Sequence, residues 1–550
     1  MEFCFSETLV IDKHPGIHLL QDHIGTNYDV PWDDFSYVIT FQAYNVSKEG
    51  EKIKIGLLKV LHKNEQDTSV YFKKTGERLE PRIFRINKCL NDSMLVSIGK
   101  DLDYYKRIHS LFVGNERELV LQNLCDVSFL KDNHELYSQW DGYSGSLMRG
   151  SSSSAILKKG YSIAIGRYNP TTKFELKIEN VGENFDPITF KFNMERKIGK
   201  SNISLLIGKN GVGKTHILKK ITEIITGVSK EEENFPFFHK LVVIAYSPFE
   251  EFYTEKELFN KINSKYTRGS DSATRKSLKR QRLHVNEYSY IGFRNEEGVF
   301  SREFPSIKSI DSILKIISYD KENEWWTDKS RLNILIETLK LSIDFDSINI
   351  TDKSGNKIEV NDRTNLKNAE KIIDYEKGLT FVKDQKILSL SSGQKIYTYM
   401  LPSIISEIED ESLLILDEPE LYLHPALEVG LINMLKNILN ETKSFSLIAT
   451  HSSIMTREVE RNAVTILRKK NKNTNMYKPS IETYGESIDV IISEVFDDEY
   501  IRKPYENEID KVLGMNPSSI SEIKDFIGDD ALAYALSRSE DDKLTFEDDE

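Results

Sequence analysis

Cysteine is scarce in this sequence. The 550 residues include 3 cysteines, Cys4, Cys89 and Cys125, which lie far apart and without the short spacing of a metal site. This scarcity excludes a disulfide-stapled secreted framework and a cysteine-based metal centre. It is typical of proteins of the reducing cytoplasm, and we therefore expect a cytoplasmic location.

Long apolar runs are lacking as well. No stretch approaches the roughly 20 apolar residues that span a bilayer, and the N-terminus has no basic segment followed by an apolar one. The sequence therefore predicts no association with a membrane. Basic residues are the minority, with 74 Lys and Arg against 87 Asp and Glu, and the formal net charge is −13. That balance argues against a protein whose surface is largely covered by bound nucleic acid.

What the sequence does contain is a phosphate-binding pattern. Residues 203–207 have the composition of a strand and lead into GxxxxGK[ST], which opens a helix-like stretch. In such a loop the glycines turn backbone N–H groups around a phosphate, the lysine reaches the β and γ oxygens, and the hydroxyl binds Mg²⁺. A chance turn rich in glycine and lysine is the alternative, which the flanking elements disfavour. The candidate residues are Gly208, Lys209, Asn210, Gly211, Val212, Gly213, Lys214 and Thr215.

Two further apolar runs end in residues that suit a nucleotide site. Residues 413–416 read as a parallel strand buried on both faces, and Asp417 and Glu418 follow it. We expect Asp417 to hold Mg²⁺ opposite Thr215, and Glu418 to polarise the attacking water. The second run precedes His451, which a parallel sheet would bring beside the γ-phosphate. A histidine at a strand end is more often structural, and that alternative stays open.

A short polar turn precedes another helix-like stretch at residues 390–394, in the order Leu-Ser-Ser-Gly-Gln. Such a turn can bind an anion through its N–H groups and the helix dipole, although turns of this kind are common. Its candidate residues are Ser391, Ser392, Gly393 and Gln394.

In this order the four pieces resemble the motifs of the ATP-binding cassette (ABC) ATPase superfamily, with Ser392 where transporters usually have glycine. The resemblance implies ATP and Mg²⁺ as cofactors. It also implies an ATP-dependent homodimer that sandwiches nucleotide between the P-loop of one subunit and the signature turn of the other. Ser391 and Gly393 would then touch the γ-phosphate bound by Lys214 of the partner subunit. The sequence departs from the family after residues 241–245, where the usual glutamine does not follow.

The residues around the acidic pair narrow the branch of the superfamily. Residues 417–425 read DEPExxLHP, which is similar to the soluble SMC, RecF and OLD-like ATPases rather than to transporter cassettes. The phrases SPFE at 247–250, YIG at 290–292 and ETYGES at 482–487 resemble the ATPase of Septu and retron antiphage systems. In that family the ATPase works with an HNH nuclease, and in retrons also with a reverse transcriptase and its DNA–RNA product. The resemblance implies an ATPase that senses and regulates such a nuclease.

Other functions stay open at this point. One is a DNA-repair or chromosome-type ATPase that clamps nucleic acid directly, and another is a transporter subunit or a scaffold. A basic patch at residues 275–282 (RKSLKRQR) suits a phosphate backbone and a solvated helix face equally well. The sequence after the cassette is too short for a nuclease domain of about 100 residues. We therefore expect an ATPase that forms ADP and phosphate and has no intrinsic nuclease.

The predicted fold class is α/β, with a P-loop core of ABC type, an N-terminal α+β accessory domain and a mainly helical insertion. Alternating runs predict a hairpin within residues 37–58 and strands at 174–178 and 188–192. Glycine and serine at 142–154 predict a mobile linker or a loop, and the acidic end at 539–550 predicts a disordered, solubilising tail. The predicted domains are the accessory domain (1–150), the first part of the core with the P-loop (155–250), the lid-like insertion (251–378), the second part of the core with the signature turn, the acidic pair and the histidine (379–495), and a C-terminal extension (496–550).

Overall fold

The computed structural model describes residues 1–26, 30–31, 36–149, 153–229, 236, 238–266, 287–323, 330–361, 364, 372–470, 473–496, 503–515 and 520–545. The basic patch at 275–282 lies outside these residues, so its role stays a prediction.

The N-terminal part of the chain is built on a seven-stranded sheet. Its strands are β1 (Phe3–Ser6), β2 (Gly16–Gln21), β3 (Thr40–Val46), β4 (Lys52–His62), β5 (Glu77–Glu80), β6 (Ile83–Arg85) and β7 (Leu95–Gly99). They lie in the order β5-β6-β1-β2-β3-β4-β7, in which β1 and β2 are parallel and the other neighbours antiparallel. The antiparallel pairing of β3 with β4 confirms the predicted hairpin.

The helices of this part are α1 (Thr68–Thr75), α2 (Leu102–Leu111), α3 (Glu116–Asn123), α4 (His134–Tyr137) and α5 (Ser153–Ala164). Ile156 and Ala164 of α5 are buried in the same apolar core as the sheet. Tyr143, Leu147 and Met148 are buried there too. Of the two predicted alternatives, the described residues up to Met148 therefore form a loop and not a mobile linker, because the apolar side chains among the glycines and serines pack into the core.

The second part of the chain, which we call the core, follows α5. It begins with β8 (Lys173–Ile178) and β9 (Ile188–Asn193), whose antiparallel pairing confirms the two strands predicted there. Next come β10 (Ile203–Gly208), which ends at the P-loop, then α6 (Lys214–Ile225) and β11 (Lys240–Ala245).

The stretch at 251–378, predicted to be mainly helical, contains both helices and strands. Its elements are α7 (Glu255–Tyr266), β12 (Glu287–Gly292), α8 (Phe304–Asn323), α9 (Arg331–Lys340), β13 (Ser347–Thr351) and β14 (Lys357–Glu359). Together with β15 (Leu379–Lys383) and β16 (Lys386–Ile387), the last two strands form a four-stranded sheet in the order β14-β13-β15-β16. β12 instead pairs parallel to β11 in the core, where Tyr290 and Ile291 are both buried.

The chain returns to the core with α10 (Ser392–Glu407), β17 (Leu413–Asp417), α11 (Pro425–Glu441), β18 (Phe445–Thr450), α12 (Ser453–Arg457), β19 (Val464–Lys470), β20 (Asn473–Tyr477) and α13 (Ile488–Phe496). The central sheet has the order β12-β11-β17-β18-β10-β19-β20, and every pair is parallel except β19 with β20. β10, β11, β17 and β18 are buried at every residue, as parallel strands covered on both faces are. The predicted α/β class is confirmed.

The last described helices are α14 (Pro504–Met515), α15 (Ile520–Ile523) and α16 (Asp529–Thr545). Ile509, Leu513 and Ala535 form a small core of their own. Because α16 continues to Thr545, the acidic end predicted to be disordered from residue 539 begins within a helix. In the part of the chain that the structure describes, no helix is long and apolar enough to cross a bilayer.

The N-terminal part contacts the core at the turn before β17. Glu411 pairs with Lys159 and accepts a hydrogen bond from the Tyr168 hydroxyl at 2.5 Å. Asp410 pairs with Lys106 of α2. Glu411 has a φ of 56°, so the turn bends sharply at the residue that the N-terminal part holds. These contacts therefore attach the N-terminal part to the backbone segment that leads into β17.

Candidate nucleotide-binding site

The P-loop residues form a tight turn between β10 and α6. Gly211 and Gly213 have φ values of 78° and 101°, in the left-handed region that glycine adopts without steric cost. Gly213 also lies under the ring of Phe185, where an added Cβ would stand 2.6 Å from a ring atom. α6 is 12 residues long and begins at Lys214, so its free N–H groups face the loop. The loop can therefore offer backbone donors to a phosphate.

Lys214, Glu418 and His451 contact one another at the carboxyl ends of the central strands. Lys214 is 5% exposed, and its Nζ donates to the Gly208 carbonyl at 3.1 Å and lies 2.6 Å from His451 Nε2. Glu418 Oε1 lies 3.4 Å from Lys214 Nζ and 3.4 Å from His451 Nε2. Contact with His451 and the positive charge of Lys214 hold the pKa of Glu418 below its ordinary value, against the opposing effect of burial. Glu418 is therefore ionised at neutral pH and can accept a proton or hydrogen bond from water.

The backbone of Glu418 is strained. Its φ of 46° is in the left-handed region, which costs a residue with a side chain about 1–2 kcal/mol. The Glu418 N–H donates to the Ala449 carbonyl of β18 at 2.9 Å, which fixes the bend after β17. Strain of this kind persists only where the surrounding structure enforces it, and it is frequent at functional sites.

Asp417 is 4% exposed, and its two carboxylate oxygens differ. Oδ2 accepts a hydrogen bond from Thr215 Oγ1 at 2.8 Å, whereas Oδ1 is buried and has no hydrogen-bond partner among the described residues. Burial, together with the charge of Glu418, raises the pKa of Asp417 to about 6.

The Thr215 hydroxyl and Oδ1 of Asp417 fit a Mg²⁺ site. Mg²⁺ takes oxygen ligands, and proteins usually bind it through one or two carboxylates plus water and phosphate oxygens. Asp417 Oδ1 and the Thr215 hydroxyl are ligands of that kind. Across the described ranges no group of three or more His, Cys, Asp or Glu could hold a metal ion.

The backbone N–H of His451 is bound by Glu420, an acid for which the sequence predicted no role. The His451 N–H donates to Glu420 Oε1 at 2.5 Å. Glu420 is the second glutamate of the DEPE phrase, so this motif was the sequence feature that could have indicated a role for it. Its contact with the next strand of the sheet depends on the bend at Glu418, which no local pattern reveals.

The signature turn begins α10. Ser391 is its N-cap: Ser391 Oγ accepts from the Gln394 N–H at 3.3 Å, and the Ser391 N–H donates to Gln394 Oε1 at 3.0 Å. Gly393 packs so closely that an added Cβ would stand 2.3 Å from the Tyr422 carbonyl oxygen. Ser391 and Ser392 are exposed. No hydrogen bond or ion pair of the described residues joins this turn to the P-loop of the same chain, so the structure brings together the other predicted residues but not these four.

Two other features near the P-loop were not predicted. Phe185, which covers Gly213, stacks on His216 with ring centroids 5.6 Å apart. An aromatic residue between β8 and β9 carries no local signal for this position. A cavity of about 660 Å³ lies beside the loop, and its lining includes Lys209, Asn210, His451, Arg468, Lys469 and Phe496.

The chain is similar to several known proteins. A family model described as an AAA domain, putative AbiEii toxin, Type IV TA system, matches residues 203–455. Protein ea59 of Escherichia phage lambda is 24% identical over 486 residues, which are 84% of this chain and 84% of that protein. Septu protein PtuA of Bacillus thuringiensis is 24% identical over 317 residues, which are 53% of this chain and 75% of that protein. These matches confirm the resemblance drawn from the motifs.

Solved structures are similar at a lower level. An SMC head bound to the C-winged helix domain of ScpA is 14% identical with a TM-score of 0.32, covering 56% of this chain and 98% of that one. The SMC head domain of Thermotoga maritima is 14% identical with a TM-score of 0.29, covering 56% of this chain and 100% of that one.

Proposed function

We propose that this ABC-type ATPase hydrolyses ATP to ADP and phosphate with Mg²⁺, and that it senses and regulates a partner nuclease in an antiphage defence complex of the Septu or retron type. The observation that carries the ATPase activity is the meeting of Lys214, Asp417, Glu418 and His451 at one edge of the central sheet. Ligands of open α/β sheets bind at the carboxyl ends of the strands.

In this proposal the P-loop binds the phosphates. Backbone N–H groups of residues 208–215 surround them, and Lys214 contributes a buried positive charge at the β and γ oxygens. Thr215, through its hydroxyl, and Asp417, through Oδ1, would hold Mg²⁺. When bound, the ion neutralises charge on the phosphates.

Hydrolysis is assigned to Glu418 and His451. Glu418 is ionised and carries the carboxylate nearest to Lys214, so it accepts a proton from the water that attacks the γ-phosphate. His451 contacts both Lys214 and Glu418 and holds their relative positions. Its imidazole can also donate to a phosphate oxygen once Lys214 turns toward the nucleotide.

The signature turn serves the second copy of the chain in an ATP-dependent homodimer. Ser391, Ser392, Gly393 and Gln394 begin a helix of 16 residues whose N-terminal donors and exposed hydroxyls suit an anion. No contact of the described residues brings them to the P-loop of their own chain. Contact with nucleotide bound by the partner subunit accounts for both facts.

The defence role rests on the Septu protein among the relatives and on the phrases at 247–250, 290–292 and 482–487. The partners proposed on this basis are an HNH nuclease and, for a retron, a reverse transcriptase with its DNA–RNA product, in the cytoplasm. The phage lambda relative is similar over more of the chain than the Septu protein is, and its name does not indicate a role in defence. The regulatory role therefore needs a test separate from ATP hydrolysis.

That test begins with the genes on either side of the gene for this chain. Their products are co-expressed with the tagged chain, and the purified complex is assayed for DNA and RNA cleavage with and without ATP. We expect an HNH nuclease in the complex, with cleavage changed by about tenfold when Glu418→Gln replaces the parent chain. A chain that purifies without a nuclease and binds DNA by itself with a steep salt dependence would support the nucleic-acid clamp instead.

A further inference from the structure

Glu428 is a buried acid that the functions above do not use. It lies in the first turns of α11 and is 8% exposed. Its Oε2 accepts a hydrogen bond from the hydroxyl of Ser452, which is 7% exposed. A buried carboxylate is costly unless it is hydrogen-bonded, so this contact is required by both side chains. Ser452 directly follows His451, the histidine proposed to act in hydrolysis.

The Ser452 hydroxyl has contacts on two sides. Its proton goes to Glu428, and its oxygen accepts a hydrogen bond from the Met455 N–H at 3.0 Å, as the N-cap of α12. The Ser452 N–H donates to Thr450 Oγ1 at 2.9 Å. A hydroxyl has one donor and two acceptor positions. Because Glu428 takes the donor, the oxygen faces the helix, and the acid fixes how α12 begins.

The turn that carries His451 is held by acids of one segment, between the end of β17 and the first turns of α11. Glu420 Oε1 accepts a hydrogen bond from the His451 N–H at 2.5 Å, and Glu428 accepts one from the next residue. Glu418 Oε1 lies 3.4 Å from His451 Nε2. Both the backbone and the ring of the histidine are therefore placed by this segment, and with them the 2.6 Å contact of Nε2 with Lys214 Nζ.

A second contact joins α11 to the other end of α12. Lys436 of α11 pairs with Glu458, the residue after α12, at 2.6 Å. Their side chains are 27% and 32% exposed, so water screens this pair and it contributes little to stability. Among the described residues, neither side chain forms a hydrogen bond or ion pair with residues 450–452. The pair is therefore a matched comparison for the contact of Glu428.

We propose that Glu428 is a positioning residue for ATP hydrolysis and that it acts through the Ser452 hydroxyl on His451. Without Glu428 the hydroxyl loses its acceptor, the beginning of α12 loosens, and Nε2 of the histidine moves from its place at Lys214 and Glu418. A displacement of about 1 Å in an active site can cost about 100-fold in rate. The P-loop binds the nucleotide without this turn, so the effect falls on kcat. The role of Glu428 rests on the proposed ATP hydrolysis and on the part that His451 has in it.

The test compares rate and affinity in the full chain. Glu428→Leu keeps a side chain of similar size without an acceptor, and we expect kcat to fall about tenfold while Kd for ATP, measured by calorimetry, changes less than about twofold. Glu428→Gln keeps an acceptor for the hydroxyl and should recover most of the rate. His451→Ala removes the ring that the contact positions. Adding Glu428→Leu to His451→Ala should therefore lower the rate no further.

Glu458→Leu is the matched control. It makes the same replacement at the other contact between α11 and the end of α12, and it should keep the parent kcat. A loss at Glu458 as large as the loss at Glu428 would show that the rate depends on general attachment of the two helices. That result would overturn the assignment of Glu428 to His451.

The other outcomes separate this role from the ATPase proposal. A parent chain that hydrolyses no ATP overturns both, and His451→Ala with the parent rate overturns the part of the histidine and the role of Glu428 with it. If the parent is active and His451→Ala is slow, a parent rate in Glu428→Leu overturns the role of Glu428 alone, as does an equal further loss in the double variant. Should Glu428→Leu not fold, Ser452→Ala removes the other side of the same hydrogen bond without adding bulk. A parent rate in Ser452→Ala then overturns the inference.

Discussion

Thr215 Oγ1 donates a hydrogen bond to Asp417 Oδ2 at 2.8 Å and so joins two residues that are 202 positions apart. The contact connects the helix after the P-loop to the last residue of β17. It leaves Oδ1 as the buried oxygen without a partner in the described part of the chain. The two halves of the core therefore meet at the atoms proposed to hold Mg²⁺.

Lys214 and Glu418 should separate nucleotide binding from chemistry. Lys214→Ala removes the buried charge at the phosphates, so we expect ATP affinity to fall by at least about tenfold. Glu418→Gln keeps the shape and loses the base, so ATP should bind normally while hydrolysis falls by about 100-fold or more. Calorimetry and phosphate release measure the two properties. Hydrolysis by Glu418→Gln at the parent rate would remove Glu418 from its assigned role.

Asp417 should make the stability of the protein depend on pH. Its pKa of about 6 lies above the ordinary 3.8, so above pH 6 the folded state carries a buried charge at a cost of about 3 kcal/mol. As pH falls from 6 to 4 the folded state takes up a proton and the cost disappears. Asp417→Asn should therefore raise the thermal midpoint at pH 8 and lose this advantage near pH 4. Metal-free protein is used, and an equal gain at both pH values would contradict the shifted pKa.

The shared nucleotide site predicts complementation between two inactive variants. Ser391→Arg places a cation in the turn proposed to receive the γ-phosphate, so this variant should bind ATP and hydrolyse it slowly. Mixed with Lys214→Ala, it can rebuild one site from an intact P-loop and an intact signature turn. We expect part of the activity to return over a range of mixing ratios. No recovery, with mixed dimers demonstrated by differential tags, would contradict site sharing.

Local motifs made much of the core predictable. The P-loop, the buried run before Asp417 and the strand before His451 each have a spacing that their chemistry requires, and the strands β10, β17 and β18 follow from their apolar runs. The hairpin β3–β4 was predictable for the same reason, since its alternation and turn are local.

Long-range contacts were not predictable. Glu250 and Tyr290 are 40 residues apart and meet because β12 adds to the central sheet, although it lies in a stretch predicted to be mainly helical. The packed segment before α5 shows a different limit. Its glycines and serines indicate a linker or a loop, and only the burial of Tyr143 and Leu147 shows that it is a packed loop.

The basic patch, which lies outside the described residues, gives a prediction from charge alone. If Arg275, Lys276, Lys279, Arg280 and Arg282 face a phosphate backbone, neutralising all five should weaken association with nucleic acid and flatten its salt dependence. Each contact contributes about −0.9 to the log–log salt slope on duplex and about −0.7 on single strands. ATP turnover should be unchanged. An unchanged slope would make the patch a solvated surface, and a loss of turnover would tie it to the nucleotide site.

Glu411 should couple the N-terminal part of the chain to the ATPase. Its carboxylate contacts Lys159 and Tyr168, and its side chain is 12% exposed. Removing one partner of a buried ion pair costs about 3–5 kcal/mol, so Glu411→Ala should lower the thermal midpoint. Glu411→Gln keeps an acceptor for the Tyr168 hydroxyl and should cost less. Because the turn leads into β17, we also expect Glu411→Ala to lower the rate of hydrolysis while ATP affinity, set by the P-loop, changes little. A lower thermal midpoint with an unchanged rate of hydrolysis would show that this contact holds the two parts together without reaching the nucleotide site.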